Sequence, residues 1–126
     1  IAVGDHSFQE KEKPIRLKDL IENPLISLGQ GSTTYEFYSK FFLENDLVLS
    51  PDTEVETIDQ VLPLIMNGLG IGFLPELFVR PVIEEGKVCQ IPLKENIPER
   101  EICLVENHTF PPSITAEMFK KMLVLK

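Results

Sequence analysis

The stretch NGLGIGFLPE, residues Asn67 to Glu76, decides how this sequence is read. Three glycines, Gly68, Gly70 and Gly72, alternate with large aliphatic residues, behind an apolar helical pattern and ahead of Leu74-Pro75. A dinucleotide fingerprint needs a strand, then Gly-x-Gly-x-x-Gly, then a helix whose first amides hold the pyrophosphate. Here the order is reversed: a helix precedes the glycines, a strand follows them, and no Lys-Ser or Lys-Thr completes a phosphate loop. The glycines are therefore read as a packing device. Gly68 supplies a positive φ where the helix ends, while Gly70 and Gly72 let helix and strand backbones approach closely.

The helix ahead of the glycines is the strongest periodic signal in the chain. Ile58, Val61, Leu62, Ile65, Met66 and Leu69 fall on one helical face, and Thr57 with Gln60 has the form of a capping box. Pro63 lies inside it and predicts a kink or a delayed start. Upstream, a helix is expected from Thr33, with Glu36 placed for a capping box and Ser32 as the rival cap. Its residues Tyr35, Phe37, Tyr38, Phe41 and Phe42 cover more than one face, so two neighbouring surfaces are expected to receive them. Short apolar runs predict strands over Ile1–Gly4, within NPLISLG, around Glu54–Glu56, and over IGFLP, KVCQIPL and EICLVEN. A charged loop spans Gln9 to Lys13, and a short helix with Leu17, Leu20 and Ile21 on one face follows Pro14. ELFVRPVIEEG reads as a helix broken or bent at Pro81 and closed by Gly86. PPSITAEMFKKMLVLK reads as a closing helix with Ile114, Met118, Met122 and Leu125 towards the core. This alternation predicts an α/β fold with a mainly parallel sheet.

Composition narrows the functional classes. The chain has 126 residues, one domain's worth, with 43% hydrophobic and 25% charged residues. No apolar run approaches the ~18 residues of a membrane span. Twelve basic against 20 acidic residues give a net charge of -8, which repels a phosphate backbone and argues against nucleic-acid binding by this chain alone. The opening IAVGDHSF is too short and too polar for a signal peptide and reads as a strand running into a turn, so the chain is expected to start in the middle of a fold. Cys89 and Cys103 lie in apolar runs without metal spacing and read as reduced core thiols, with a disulfide between neighbouring strands as the alternative. His6 and His108 lie in loop settings near opposite ends, Ser113 follows Pro-Pro, and Gly-x-Ser-x-Gly is missing. No catalytic residue, metal or cofactor is expected.

The ordered set GDHSF, IRLKDLIENPLISL, STTYEFYSKFF, MNGLGIGFLPE and REICLVENHTFPPSITAEMFKKML resembles the effector-binding domain of LysR-type transcriptional regulators. It covers essentially the whole chain in the right order. Ser7 stands where the family commonly has proline, and Pro63 interrupts a usually regular helix. The resemblance implies the type-2 periplasmic-binding-protein fold, a two-lobe α/β architecture with one lobe complete and one partial. It assigns residues 1–28 and 99–126 to a partial first lobe and 29–98 to a complete second lobe. It also implies a fragment lacking a winged helix-turn-helix and the opening of the first lobe. The expected function is sensing a small anionic metabolite between lobes. The intact protein would be a cytoplasmic homodimer or homotetramer that meets DNA only through its N-terminal domain and has no membrane partner. A solute-binding protein of a transport system, with the same fold, is the alternative.

A two-lobe cleft takes polar metabolites on helix-start amides and hydroxyls. Gly31, Ser32 and Thr33 open one helix and Thr57 another, each after a predicted strand, and these four are the expected ligand contacts. Each hydroxyl is equally suited to capping alone. Phe73 is the fifth candidate, as a residue lining the cleft, against the commoner role of core aromatic.

Overall fold

The computed structural model describes residues 1–9 and 13–124. The strands are β1 (Ala2–Gly4), β2 (Leu25–Leu28), β3 (Thr53–Val55), β4 (Ile71–Phe73) and β5 (Cys89–Ile91). They form one five-stranded sheet in the order β3-β2-β4-β1-β5. The helices are α1 (Leu17–Leu20), α2 (Thr33–Glu44), α3 (Ile58–Met66), α4 (Glu76–Glu84) and α5 (Ile114–Val124). β2 pairs in parallel with β3 and β4, and β1 pairs antiparallel with β4 and β5.

Neighbouring residues along a strand point to opposite faces, and that alternation builds two cores. Ala2, Leu25, Ile71 and Phe73 face a cluster with Leu17, Leu20, Tyr38, Phe41 and Phe42 of α1 and α2. Val3 and Ile26 face Val61, Ile65 and Val79 of α3 and α4. Gly72 is the point of closest approach on this second face. A Cβ built there would lie 2.9 Å from Val61 Cγ1 and 3.1 Å from Ile65 Cδ1. At Gly70 a Cβ would lie 2.5 Å from the carbonyl oxygen of Pro24, the same oxygen that accepts the Ile71 amide at 2.9 Å. Gly68 has φ 73°, and the amides of Gly68 and Leu69 bond back to the carbonyls of Ile65 and Leu64. That pair of bonds closes α3 as a Schellman motif. The reading of NGLGIG as a packing device holds.

Several expectations are corrected. The sheet is mixed, because strands of three or four residues carry no signal of direction; β1 alone runs against the other four. β1 and β2 pair within the sheet that also holds β3 to β5. All five aromatics of α2 belong to a single cluster on one face of the sheet, Tyr38, Phe41 and Phe42 buried and Tyr35 and Phe37 half-buried. α3 starts at Ile58 without delay. Pro63 sits on its exposed side, where water can take the carbonyl that loses its amide partner. α4 likewise runs through Pro81 to Glu84.

The C-terminal stretch departs furthest from expectation. EICLVEN is exposed and pairs with no strand among the described residues, and alternation makes a strand only where a neighbour supplies the ladder. α5 forms, but Ile114, Met118 and Met122 are 81%, 62% and 68% exposed rather than in the core. Leu125 and the centre of the Gln9–Lys13 loop lie outside the described residues.

The close approach at Gly70 predicts a graded test. Gly70→Ala should cost about 1–3 kcal/mol, since backbone rather than a movable side chain opposes the new methyl group. Gly31→Ala, with nothing within 4 Å of its Cβ, should stay within about 0.5 kcal/mol of wild type. Urea unfolding of both variants reads the difference.

Candidate functional site

Two helix starts lie on the same edge of the sheet. β2 and β3 are parallel, with Leu28 opposite Val55, so the turns that follow them, leading into α2 and α3, leave from the shared C-terminal edge. At α2, Ser32 is the cap. Its Oγ accepts the amide of Tyr35 at 3.0 Å and donates to the carbonyl of Gly29 at 3.0 Å. The rival reading of the cap is therefore the right one, and Thr33 is the first helical residue. Thr33 and Gly31 are exposed at the turn. At α3, Thr57 is the exposed N-cap, and the side-chain oxygen of Gln60 accepts the amides of Glu56 at 2.9 Å and Thr57 at 3.2 Å.

Charge differs between the two starts. Glu54, Glu56 and Asp59 line an open depression beside the start of α3, whereas the cation Arg100 lies against α2. Its guanidinium donates to Thr34 Oγ1 at 3.0 Å and rests 5.0 Å over the ring of Phe37. Among the described residues Arg100 forms no ion pair.

Between β2, α2 and α3 runs a narrow crevice with room for about one water molecule, lined by Ser27, Thr34, Tyr38, Ile58, Val61 and Phe73, among others. Phe73 is 8% exposed, with its ring 4.9 Å from Tyr38 and 5.8 Å from Phe42. It serves the core and forms part of the crevice wall. Tyr38 is 7% exposed. Burial pushes its phenol above the ordinary tyrosine range, and the charge of Arg100 partly opposes that shift. The phenol is thus a neutral hydroxyl at physiological pH.

Thr34, Tyr38 and Arg100 were not among the residues expected from sequence. Tyr38 reads there as one more aromatic of a core helix. Arg100 meets Thr34 across 66 positions of chain, a contact no local pattern encodes. The described residues contain no cluster of His, Cys, Asp and Glu able to hold a metal. Both cysteines are free. Cys89 is half-buried and Cys103 exposed, so the expected pair of core thiols is not found.

The family model for the LysR substrate binding domain matches residues 1–124. The chain belongs to the LysR substrate-binding domain family. It is 29% identical over 98 residues to an uncharacterized HTH-type transcriptional regulator, YwqM of Bacillus subtilis (strain 168), covering 78% of this chain and 33% of that protein. It is 36% identical over 64 residues to the HTH-type transcriptional activator CmpR of Synechocystis, covering 51% of this chain and 21% of that protein. This LysR domain therefore spans a third or less of either curated relative along the matched length. Among solved structures, the effector-binding domain of QuiR in complex with shikimate superposes with a TM-score of 0.76 at 20% identity, over 95% of this chain and 56% of that one. A LysR-family regulator from Pseudomonas aeruginosa, HinK, gives 0.59 at 24% identity, over 76% of this chain and 34% of that one. The fold of this LysR domain is the type-2 periplasmic-binding-protein-like one.

Two measurements check the local geometry of the LysR domain. Ser32→Ala should destabilise by about 1 kcal/mol through loss of the cap, and Ser32→Gly by only a few tenths. In alkaline titration followed by tyrosinate absorbance, Tyr38 should ionise above the ordinary range, and Arg100→Met should raise it further by removing the opposing charge. Because the folded state holds the phenol neutral, its contribution to stability is full below the unfolded pKa and is lost as pH rises through the folded one. A Tyr38 pKa lowered by Arg100→Met would contradict the placement of the guanidinium.

Proposed function

We propose that this domain is the effector sensor of a bacterial LysR-type transcription regulator. A small anionic metabolite binds between lobes on the shared edge of β2 and β3 and shifts their orientation, controlling DNA binding or transcription activation by the intact dimer. The observation that carries the reading is the pairing of two helix starts on one sheet edge, in a family with a shikimate-bound relative. Gly31, Ser32, Thr33 and Thr57 form the polar rim, with Phe73 beneath.

The anion is favoured at α2, whose first-turn amides and neighbouring Arg100 are electropositive, and opposed at α3 by Glu54, Glu56 and Asp59. Because β1 and β2 pair within one sheet, we take residues 1–98 as one lobe and 99–126 as the part that returns to the other. The exposed apolar residues of α5 are the surface that the rest of the regulator covers, as another lobe or a partner copy. DNA is met through a separate N-terminal domain, since the net charge of -8 suits no phosphate backbone. The protein works in the cytoplasm and is not an enzyme. The curated relatives favour this reading over a transport component of the same fold.

The full-length regulator should bind specific operator DNA, selected from genomic fragments, with an affinity that falls steeply as salt rises. In thermal-shift assays, a true effector at 100 times its dissociation constant should add about 2.7 kcal/mol of stability. Absence of sequence-specific DNA binding at every salt concentration would refute the regulator reading.

A further inference from the structure

The crevice beneath α2 is lined by a tyrosine whose hydroxyl has no protein partner among the described residues. Tyr38 is more than nine-tenths buried, yet among the described residues its hydroxyl makes no hydrogen bond, whereas the neighbouring Tyr35 hydroxyl bonds the carbonyl of Leu49 at 3.4 Å. Among those residues no buried side-chain oxygen or nitrogen is left without a partner. The Tyr38 oxygen must therefore remain in touch with solvent, and the side chain lines the crevice together with Ser27 and Thr34. A phenylalanine would pack against Phe37 and Phe73 equally well, so packing does not account for the oxygen. Arg100 sits at the same helix turn, bonded to Thr34 Oγ1, a neutral acceptor that uses one of its five N–H donors.

We propose that Tyr38 and Arg100 form an acceptor-recognising pair within the effector site: the Tyr38 hydroxyl donates a hydrogen bond to a carboxylate oxygen of the effector, and the guanidinium neutralises that carboxylate at the rim. The inference rests on the effector-sensor reading and adds two residues and a ligand class to it. The crevice has room for about one water molecule, so only one carboxylate oxygen enters it while the rest of the ligand stays in the cleft outside. A carboxylate suits both partners. It accepts from a neutral hydroxyl and takes two parallel N–H bonds from a planar guanidinium. Thr34 is then the neutral partner that the carboxylate displaces from Arg100.

The test uses the full-length regulator and a panel of metabolite carboxylates, shikimate, succinate and pyruvate among them, each paired with its methyl ester. At least one carboxylate should raise the melting temperature of the wild type, and its ester should not. Tyr38→Phe, which removes only the oxygen, should weaken that carboxylate about tenfold, the equivalent of about 1.4 kcal/mol. Arg100→Met should weaken it further and abolish the preference over the ester. Melting without ligand, read in the same scans, separates a folding defect from a lost contact, and the exposed Arg100 keeps the test informative if Tyr38→Phe is unstable. A carboxylate bound with equal affinity by wild type, Tyr38→Phe and Arg100→Met overturns the inference. So does a regulator that binds its operator while no carboxylate of the panel shifts its melting. Loss of operator binding itself would instead fault the regulator reading.

Discussion

The structure depends on how closely β4 is packed. This three-residue strand is paired on both sides, to β2 and to β1, and α3 lies across it with Val61 and Ile65 over Gly72. A side chain at Gly72 would lift the helix from the sheet, and one at Gly70 would push the strand away from Pro24. The positive φ of Gly68 then turns the chain from α3 straight into β4. Because β2 is held against β4 in this register, the C-terminal ends of β2 and β3 are fixed side by side. The starts of α2 and α3 inherit that position. The candidate site is a consequence of a packing constraint on the opposite face from α2.

The two faces of the sheet divide the work. The α3 and α4 face is aliphatic and closely packed around glycine, which suits a rigid scaffold. The α2 face is aromatic, and aromatic packing leaves the crevice that Tyr38 and Phe73 line. A binding site placed there rests on a rigid sheet and borders a helix start with a cationic neighbour, Arg100 beside α2.

Sequence patterns revealed the elements more fully than their assembly. The glycine run, the capping residues and the helical faces are local, and each acts within a few residues of itself, so they could be read directly. Direction and partnership are not local. β1 looks like any apolar strand until its antiparallel neighbours are known, and EICLVEN has strand alternation without a ladder to join. The same limit governs the site. The helix starts at Ser32 and Thr57 could be named because capping chemistry is short-range, and their shared edge followed from strand-helix order. Tyr38 and Arg100 could not, because one is hidden in an aromatic helix and the other reaches Thr34 from a distant segment.

β1 and β2 belong to one sheet locked by β4, and the segment after residue 98 lies outside it. Native-state amide exchange under mildly destabilising conditions tests it most directly, since strands of one unit open together. The bonded amides of Ala2–Gly4, Leu25–Leu28 and Ile71–Phe73 should share a single opening free energy, while residues 101–107 should exchange almost without protection. Independent opening of Ala2–Gly4 relative to Ile71–Phe73, or protection of residues 101–107 at the level of β4, would contradict it.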